Sequence, residues 1–369
     1  MVHKRHNCFR SSPTQWIWLI WGYLICFLIL RLLWLSPLNH WWPLQLLNMF
    51  GVWFYAPFLL FLPLIFWPKW EQQSRLRRWV TYGMLIPLSL FVVEYGAYFW
   101  PNVHRLQTLT GQQPPTATLS APAPIRVMTW NLHKDTVDAI AISQTILEQE
   151  ADIVAIQELG TAMATPLAIA LTPTYPYQTM APGDRPDEFA LFSRYPIESI
   201  ENNGRGHSDC ACQVTTLQVN GQSVTLLNVH LPLPKLVKQR IGPLPWVTDL
   251  NTARQRKKVN GLIQRIQDTP EPLIALGDFN LPDRHFHYDI LAKVVQDAFR
   301  EGGFGFGLTY PAIPKVGPLP FTPIVRLDYI WYKDTFSVQR AWTGKGVIPG
   351  HHGQTNADHY FVIADLAWR

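Results

Sequence analysis

The sequence predicts an α/β sandwich carried behind a membrane anchor, and three observations point there. The first 100 residues hold three long apolar stretches. From Ile125 onward, short β-type runs alternate with helical ones. Five of those runs close on a side chain suited to a metal or a phosphate, as strands delivering residues to one rim do.

Composition divides the chain in the same way. Of 369 residues 13% are aromatic, with 16 Trp, and only 15% are charged, which is unlike an ordinary soluble surface. The net charge of +5 is unevenly placed. Residues 1–124 carry nine Lys/Arg against Glu71 and Glu94, whereas the remainder carries 22 Lys/Arg against 24 Asp/Glu. Basicity belongs to the front third and gives no argument for nucleic-acid binding by the rest.

Residues 16–35, 42–67 and 79–100 each reach or approach the ~20 residues of a spanning helix. A cleaved signal peptide fits poorly, because the first stretch lacks a small-residue cleavage site and two more stretches follow. Trp41, Trp42, Trp67, Trp70, Trp79 and Trp100 cluster at the expected ends like an interfacial belt. Pro57 and Pro63 predict kinks in the second span. Lys4, Arg5 and Arg10 in the tail, and Lys69, Arg75, Arg77 and Arg78 in the second loop, place both segments in the cytoplasm, since the first loop "SPLNHWWP" has no Lys or Arg. Three spans then put everything after Trp100 on the outer side of the cell (inner) membrane. Arg31 is expected to snorkel and Glu94 to sit at the outer interface. Residues 101–124, rich in Pro, Thr and Ala, read as an extended stalk. About 24 flexible residues reach on the order of 25–30 Å, enough for the outer domain to fold down onto its own membrane.

The domain over 125–369 carries the chemistry. "IRVMTWN" ends at Asn131, "DIVAIQE" at Glu158, "VTLLNVH" at His230, "LIALGD" at Asp278 and "IVRLD" at Asp328, while "ADHYFVIADL" begins with Asp358 and His359. Asp278 and Asn280 before Pro282 would also suit a mere turn. Six such groups delivered by distant segments make an active-site constellation the stronger reading. Residues 136–149, 161–171 and 250–267 have helical spacing.

Carboxylates, amides and two histidines, with no nucleophilic Ser or Cys motif, suit a hard cation and a phosphoryl group, with Mg²⁺ or Mn²⁺ the expected ion. Zinc fits worse, for want of Cys/His spacing. Cys210 and Cys212 read as two small buried residues on one face of a strand, ahead of a mutual disulfide or a metal pair.

In order, "TWNLH", "IQE", "LFSRYPI", "NVHL", "GDFN", "RLDYIW" and "ADHY" resemble the endonuclease/exonuclease/phosphatase (DNase I-like) superfamily over roughly 125–369. The resemblance implies a four-layer α/β sandwich, two mixed β-sheets flanked by helices, here preceded by three transmembrane helices. It also implies residue roles. Glu158 would be the chief metal ligand, with Asn131 supporting and Asp358 in the metal region. Asp278 would activate water, Asn280 would orient the phosphate, and His359 paired with Asp328 would contact the scissile group. His230 would be a second phosphate-side donor. Asn356 stands where the superfamily often has Ser, and its Tyr or Glu/Arg between "QE" and "NVHL" cannot be located.

An anchor, a stalk and an outer domain resemble a membrane-bound bacterial branch associated with glycopeptide resistance and undecaprenyl pyrophosphate. Three functions stay open: a membrane-tethered hydrolase of a lipid phosphate or pyrophosphate, the same chemistry on nucleic acid or a soluble phosphodiester, and a non-catalytic sensor or interaction domain. Residues 231–258 favour the first. They carry Lys235, Lys238, Arg240, Arg254, Arg256, Lys257 and Lys258 among Leu236, Ile241 and Trp246, a mixture suited to the bilayer's headgroup region.

Overall fold

The computed structural model describes residues 13–63, 74–100, 123–134, 138–181, 188–201, 209–241, 244–312, 323–346 and 357–369. The chain forms two compact units, Met1–Phe99 and Trp100–Arg369.

In the first unit α1 (Pro13–Leu35) and α4 (Ser74–Tyr95) are the long apolar helices. Gln15–Leu35 and Arg77–Phe99 are each long and apolar enough to cross a membrane. The stretch expected as the middle span is broken instead. Its helices α2 (Trp42–Met49) and α3 (Ala56–Phe61) flank a 3₁₀ segment at Gly51–Tyr55, and the pair bends by 74°. Gly51 at the break and Pro57 in the first turn of α3 account for the interruption, since neither residue favours a continuing helix. Among the described residues two helices are thus long and apolar enough to span, or up to three if the bent pair counts as one span. Arg31 and Glu94, read separately from the sequence, are partners. They form an ion pair joining α1 to α4, so neither charge is left alone among apolar side chains. Lys4, Arg5, Arg10 and Lys69, and the stalk over 101–122, lie outside the described residues.

The second unit is built on two six-stranded sheets. The first is ordered β13–β14–β1–β2–β4–β3, from β1 (Ile125–Asn131), β2 (Ile153–Gln157), β3 (Tyr177–Met180), β4 (Phe189–Ser193), β13 (Phe336–Gly344) and β14 (Phe361–Trp368). The second is ordered β11–β12–β10–β7–β6–β5, from β5 (Ile197–Ile200), β6 (Cys212–Val219), β7 (Gln222–His230), β10 (Leu273–Asp278), β11 (Gln296–Asp297) and β12 (Asp328–Tyr332). Each sheet is mixed, because β1 runs parallel to β2 and β7 parallel to β10 while the other neighbours are antiparallel.

Alternation puts one set of apolar side chains between the sheets and the other beneath helices. Val127, Ala155, Leu226, Leu276, Ile330 and Val362 pack in the inter-sheet core. Met128, Trp130 and Ile156 pack under α5 (Ala139–Glu148) and α6 (Thr161–Leu171). Leu227 and Ala275 pack under α7 (Ala253–Asp268) through its Val259, Leu262 and Ile266. Helix, sheet, sheet, helix is the four-layer sandwich that the sequence implied, and the three helical stretches fall within about three residues of their expected bounds. A hairpin of β8 (Lys235–Ile241) and β9 (Leu244–Asn251) was not foreseen. Pro232, Pro234, Pro243 and Pro245 hide its alternation.

A buried polar tie joins the sheets below the strand ends. Gln157 Nε2 donates to Asn228 Oδ1 at 2.7 Å, and Asn228 Nδ2 donates to the Ile156 and Ala190 carbonyls at 3.1 Å each. Each residue sits one or two positions before a site residue, so the tie fixes both rims together.

Candidate active site

Strand register assembles the site. In the second sheet Asp278 lies opposite His230 on one side and Asp328 on the other, so three neighbouring strands bring three site residues side by side. In the first sheet Asn131 lies opposite Gln157, which puts Glu158 at the adjoining strand end. β10 can approach β7 this closely only at Gly277. A Cβ there would stand 2.0 Å from the Val229 carbonyl oxygen, and its φ of +143° suits glycine.

Asn131 bridges the two sheets. Its Nδ2 donates to Glu158 Oε1 at 3.1 Å and to Asp278 Oδ2 at 3.0 Å, while its Oδ1 accepts from the His133 N–H at 3.0 Å. Asn280 holds Asp278 from the other side: its N–H donates to Oδ1 at 2.8 Å and its Nδ2 to Oδ2 at 3.1 Å. The same Nδ2 donates to the Leu231 carbonyl at 2.8 Å. His230 Nε2 stands 3.4 Å from Glu158 Oε1 and 3.9 Å from Asp278 Oδ2. His359 is oriented by Asp328, with Nδ1 2.8 Å from Oδ2, and turns Nε2 to within 3.9 Å of both Asp278 and Asp358. The Tyr310 ring stands 4.8 Å from the His359 ring, centre to centre.

Four residues on the cavity wall, His133, Glu158, Ala211 and Asn280, have positive φ between 48° and 62°. Asn tolerates that conformation, whereas Glu and Ala enter it at a cost of roughly 1–3 kcal/mol each. The surrounding packing outweighs that cost and holds the side chains on the rim.

Burial governs the electrostatics. It lifts the Asp278 carboxyl to about 6, against the opposing pull of His359, with Asp328 adding to the rise. Burial also disfavours a charged His359, but Asp328, Asp278 and Asp358 outweigh it and raise the imidazole to about 10. His359 is therefore an imidazolium at neutral pH, with Nδ1 and Nε2 both donating.

That charge state bears on where a cation fits. Asp278, Asp328 and His359 offer donor atoms all within 4.8 Å of one another, a group compact enough for one ion. A charged His359 pairs with Asp328, and a cation at this group would have to displace the imidazole proton. Glu158 and Asp358 remain as carboxylate oxygens at the cavity wall, the donor type a hard divalent ion takes. Asn131 differs from its expected part. Its oxygen serves His133, and two carboxylates on its nitrogen side fix the amide that way round.

All eight residues singled out from sequence converge on this rim, and Glu158, His230, Asp278, Asn280, Asp358 and His359 line one cavity of about 820 Å³. Asn280 also differs from expectation. Both amide hydrogens are engaged by Asp278 and Leu231, so it orients the carboxylate rather than a phosphate. Asn356 lies outside the described residues. Sequence reasoning missed Gln255, which donates to the Asn280 carbonyl at 2.8 Å and ties α7 to the site. Its only signal was a buried position on a basic helix. Cys210 and Cys212 are buried as expected but joined in a disulfide, against the reading as two separate thiols. Ala211 between them is left-handed and draws their Cα atoms to 5.3 Å, within bridging range, where a straight strand was assumed.

Known proteins place this geometry. The crystal structure of the endonuclease/exonuclease/phosphatase from Bacteroides vulgatus is similar to this chain at 19% identity with a TM-score of 0.51, covering 67% of this chain and 99% of that one. A conserved protein of unknown function from Enterococcus faecalis V583 is similar at 16% identity with a TM-score of 0.51, over 66% of this chain and 100% of that one. At these identities the likeness speaks for the fold. No curated protein sequence matches the chain. A model of the Endonuclease/Exonuclease/phosphatase family matches residues 128–348, well over half the chain and all but Asp358 and His359 of the residues above. The chain belongs to the endonuclease/exonuclease/phosphatase family.

Proposed function

We propose that this protein is a membrane-tethered hydrolase of a lipid-linked phosphate ester or pyrophosphate, working with Mg²⁺ or Mn²⁺ on the outer side of the cell membrane. Family members are mostly phosphoester hydrolases and divalent-metal dependent. The observation that carries the lipid reading is the cavity itself. Its wall joins Asp278 and His359 to Pro232, Leu233, Pro234 and Lys235, an apolar and basic set, in a chain with two helices apolar enough to span a bilayer. A buried disulfide supports an oxidising compartment.

Glu158, with Asp358 on the wall of the same cavity, is the group proposed to hold the cation, which would polarise the phosphoryl oxygens when bound. Asp278 takes a proton from water as the water oxygen bonds to phosphorus and the bond to the leaving oxygen breaks. A carboxyl near 6 is matched to that task at neutral pH. Asn131 and Asn280 fix its direction. His359, held charged by Asp328, donates to the phosphoryl oxygens as charge builds, and His230 supplies a second donor.

The test is an assay of the detergent-solubilised protein in Mg²⁺ against a lipid pyrophosphate, sphingomyelin and plasmid DNA. Preference for a lipid substrate supports the proposal. The basic run Arg254, Arg256, Lys257 and Lys258 also fits a phosphodiester backbone, and preferential cleavage of plasmid would replace the lipid reading with that one.

A further inference from the structure

We propose that Lys235, Arg254 and Lys258 form a second anion subsite, which holds a phosphate adjoining the one that is cleaved. The inference rests on the hydrolase reading and narrows its substrate to a diphosphate. All three cations line the same cavity as Asp278 and His359. Their placement is built. Leu231 leaves the site with its N–H donating to the Asp278 carbonyl at 2.9 Å and its own carbonyl accepting from Asn280. Four residues on, Lys235 starts β8 opposite Asn251, two residues before α7 begins, so the hairpin returns the chain to the point it left. Gln255 then fastens the first turn of α7 to the Asn280 carbonyl. At Gly261 the helix lies so close to the Asp209 turn that a Cβ would stand 2.3 Å from its carbonyl oxygen. Arg254 and Lys258, four apart, share a face of that anchored helix.

The charges of Lys235 and Arg254 are not absorbed locally. No ion pair joins Lys235 or Arg254 to a carboxylate among the described residues, and the first turn of α7 has no acidic residue. Like charges four apart repel, and the helix N-terminus adds positive potential of its own. An anion relieves all of this at once. The cavity's carboxylates would hold a cation that meets one phosphoryl group, while Lys235, Arg254 and Lys258 meet a second anion directly. A cavity of about 820 Å³ has room for both groups of a diphosphate. A single-stranded nucleic acid would want aromatic platforms, but among the lining residues Tyr310 alone is a Phe, Tyr or Trp, and its ring packs against His359.

The experiment uses the full-length protein in detergent and the variants Lys235→Gln, Arg254→Gln and their double. KM and kcat are measured at fixed free Mg²⁺ for geranylgeranyl diphosphate, geranylgeranyl monophosphate, bis(4-nitrophenyl) phosphate and oligothymidylate. In the double variant KM for the diphosphate should rise about tenfold or more, at least five times further than for the monophosphate or the diester, with kcat moving less than KM. A uniform loss on every substrate, or an unmoved KM for the diphosphate, overturns the subsite. A rise confined to oligothymidylate overturns it too and assigns these cations to a nucleic-acid backbone. Thermal stabilisation by magnesium pyrophosphate gives a readout free of turnover. If wild type hydrolyses nothing yet is stabilised, and the double variant is not, the hydrolase reading fails and the subsite stands. Equal stabilisation of both, or of neither, overturns the subsite.

Discussion

Asp328 and His359, 31 residues apart in the chain, stand 2.8 Å apart in the fold, with His359 Nδ1 directed at Asp328 Oδ2. The carboxylate fixes the ring and keeps it charged, so Nε2 faces the reacting end of the cavity as a donor.

Replacing that carboxylate should therefore change a pH profile as well as a rate. His359 is raised to about 10, so its charged form and whatever it stabilises persist below that value and are lost as pH rises through it. Asp328→Asn should lower kcat roughly 10²–10⁴-fold and move the alkaline limb of the pH–rate curve downward, toward the ordinary histidine range. Steady-state kinetics on a soluble diester between pH 6 and 10 measures both, and an unmoved alkaline limb would exclude the pairing from catalysis.

Asp278 gives a prediction in which activity and stability part company. Its carboxyl is raised from 3.8 to about 6, so the folded protein keeps a proton that the unfolded chain has already lost between those values. The native state thus gains from this group as pH falls through 6. Above 6 it carries a buried charge whose cost is on the order of 3 kcal/mol. Asp278→Asn should cut turnover about 10²–10⁴-fold and yet, in chelator at pH 8, melt at the same temperature as wild type or higher. A clear drop in melting temperature would mean that Asp278 holds the rim together, and unchanged turnover would return it to being a turn residue.

For the cation, chelation should abolish turnover, with Mg²⁺ or Mn²⁺ restoring it. Glu158→Gln should require at least tenfold more Mg²⁺ for half-maximal rate, because an amide oxygen is a poorer ligand for a hard ion. Titration of rate against free Mg²⁺ decides it. Full activity in chelator removes the metal from the mechanism.

The Cys210–Cys212 disulfide closes so small a ring that it removes little entropy from the unfolded chain. Its consequence is local. Ala211 is held left-handed and its carbonyl accepts the His230 N–H at 2.9 Å. Cys210→Ser with Cys212→Ser should leave the melting temperature within a few degrees of wild type while lowering kcat several-fold. A large loss of stability with kcat retained in the folded fraction would reverse that assignment.

The strand ends were legible because each closes an apolar run on a chemically conspicuous residue, and register did the rest by setting His230, Asp278 and Asp328 on adjacent strands. Which atoms those residues offer was not legible. Asn131 and Asn280 have several possible partners in sequence, and only packing directs their nitrogens to Asp278. The partnership of Arg31 with Glu94 escaped for a similar reason, since 63 residues separate them and hydropathy reports no pairs. The break in the second apolar stretch was half visible. Pro57 predicted a kink, but the 74° bend also draws on Gly51, whose effect depends on where the preceding turn stops.

The arm leaving His230 carries the last prediction. Leu233 and Leu236 are 61% and 47% exposed, unusual for leucines beside a catalytic cavity, and they alternate with Lys235 and Lys238. The side chains of Ile241 and Trp246 lie outside the described residues, so the test falls on the two leucines. An arm of exposed leucines and lysines gains by lying in the headgroup region of an anionic bilayer, where each Lys contributes ~1 kcal/mol and the leucines add apolar burial. In water they contribute little to folding, because so much of their surface is already exposed. Replacing Leu233 and Leu236 with Ser should therefore lower turnover of a lipid phosphate embedded in anionic vesicles several-fold, at unchanged melting temperature. The same protein should lose much less on a small soluble diester, whose capture needs no bilayer. The difference should shrink when the lipid substrate is presented in neutral vesicles at high salt, because screening removes the lysine contribution that the leucines accompany. Equal loss on lipid and diester would make the arm a structural support for His230, and no loss on either would leave the soluble-substrate reading ahead.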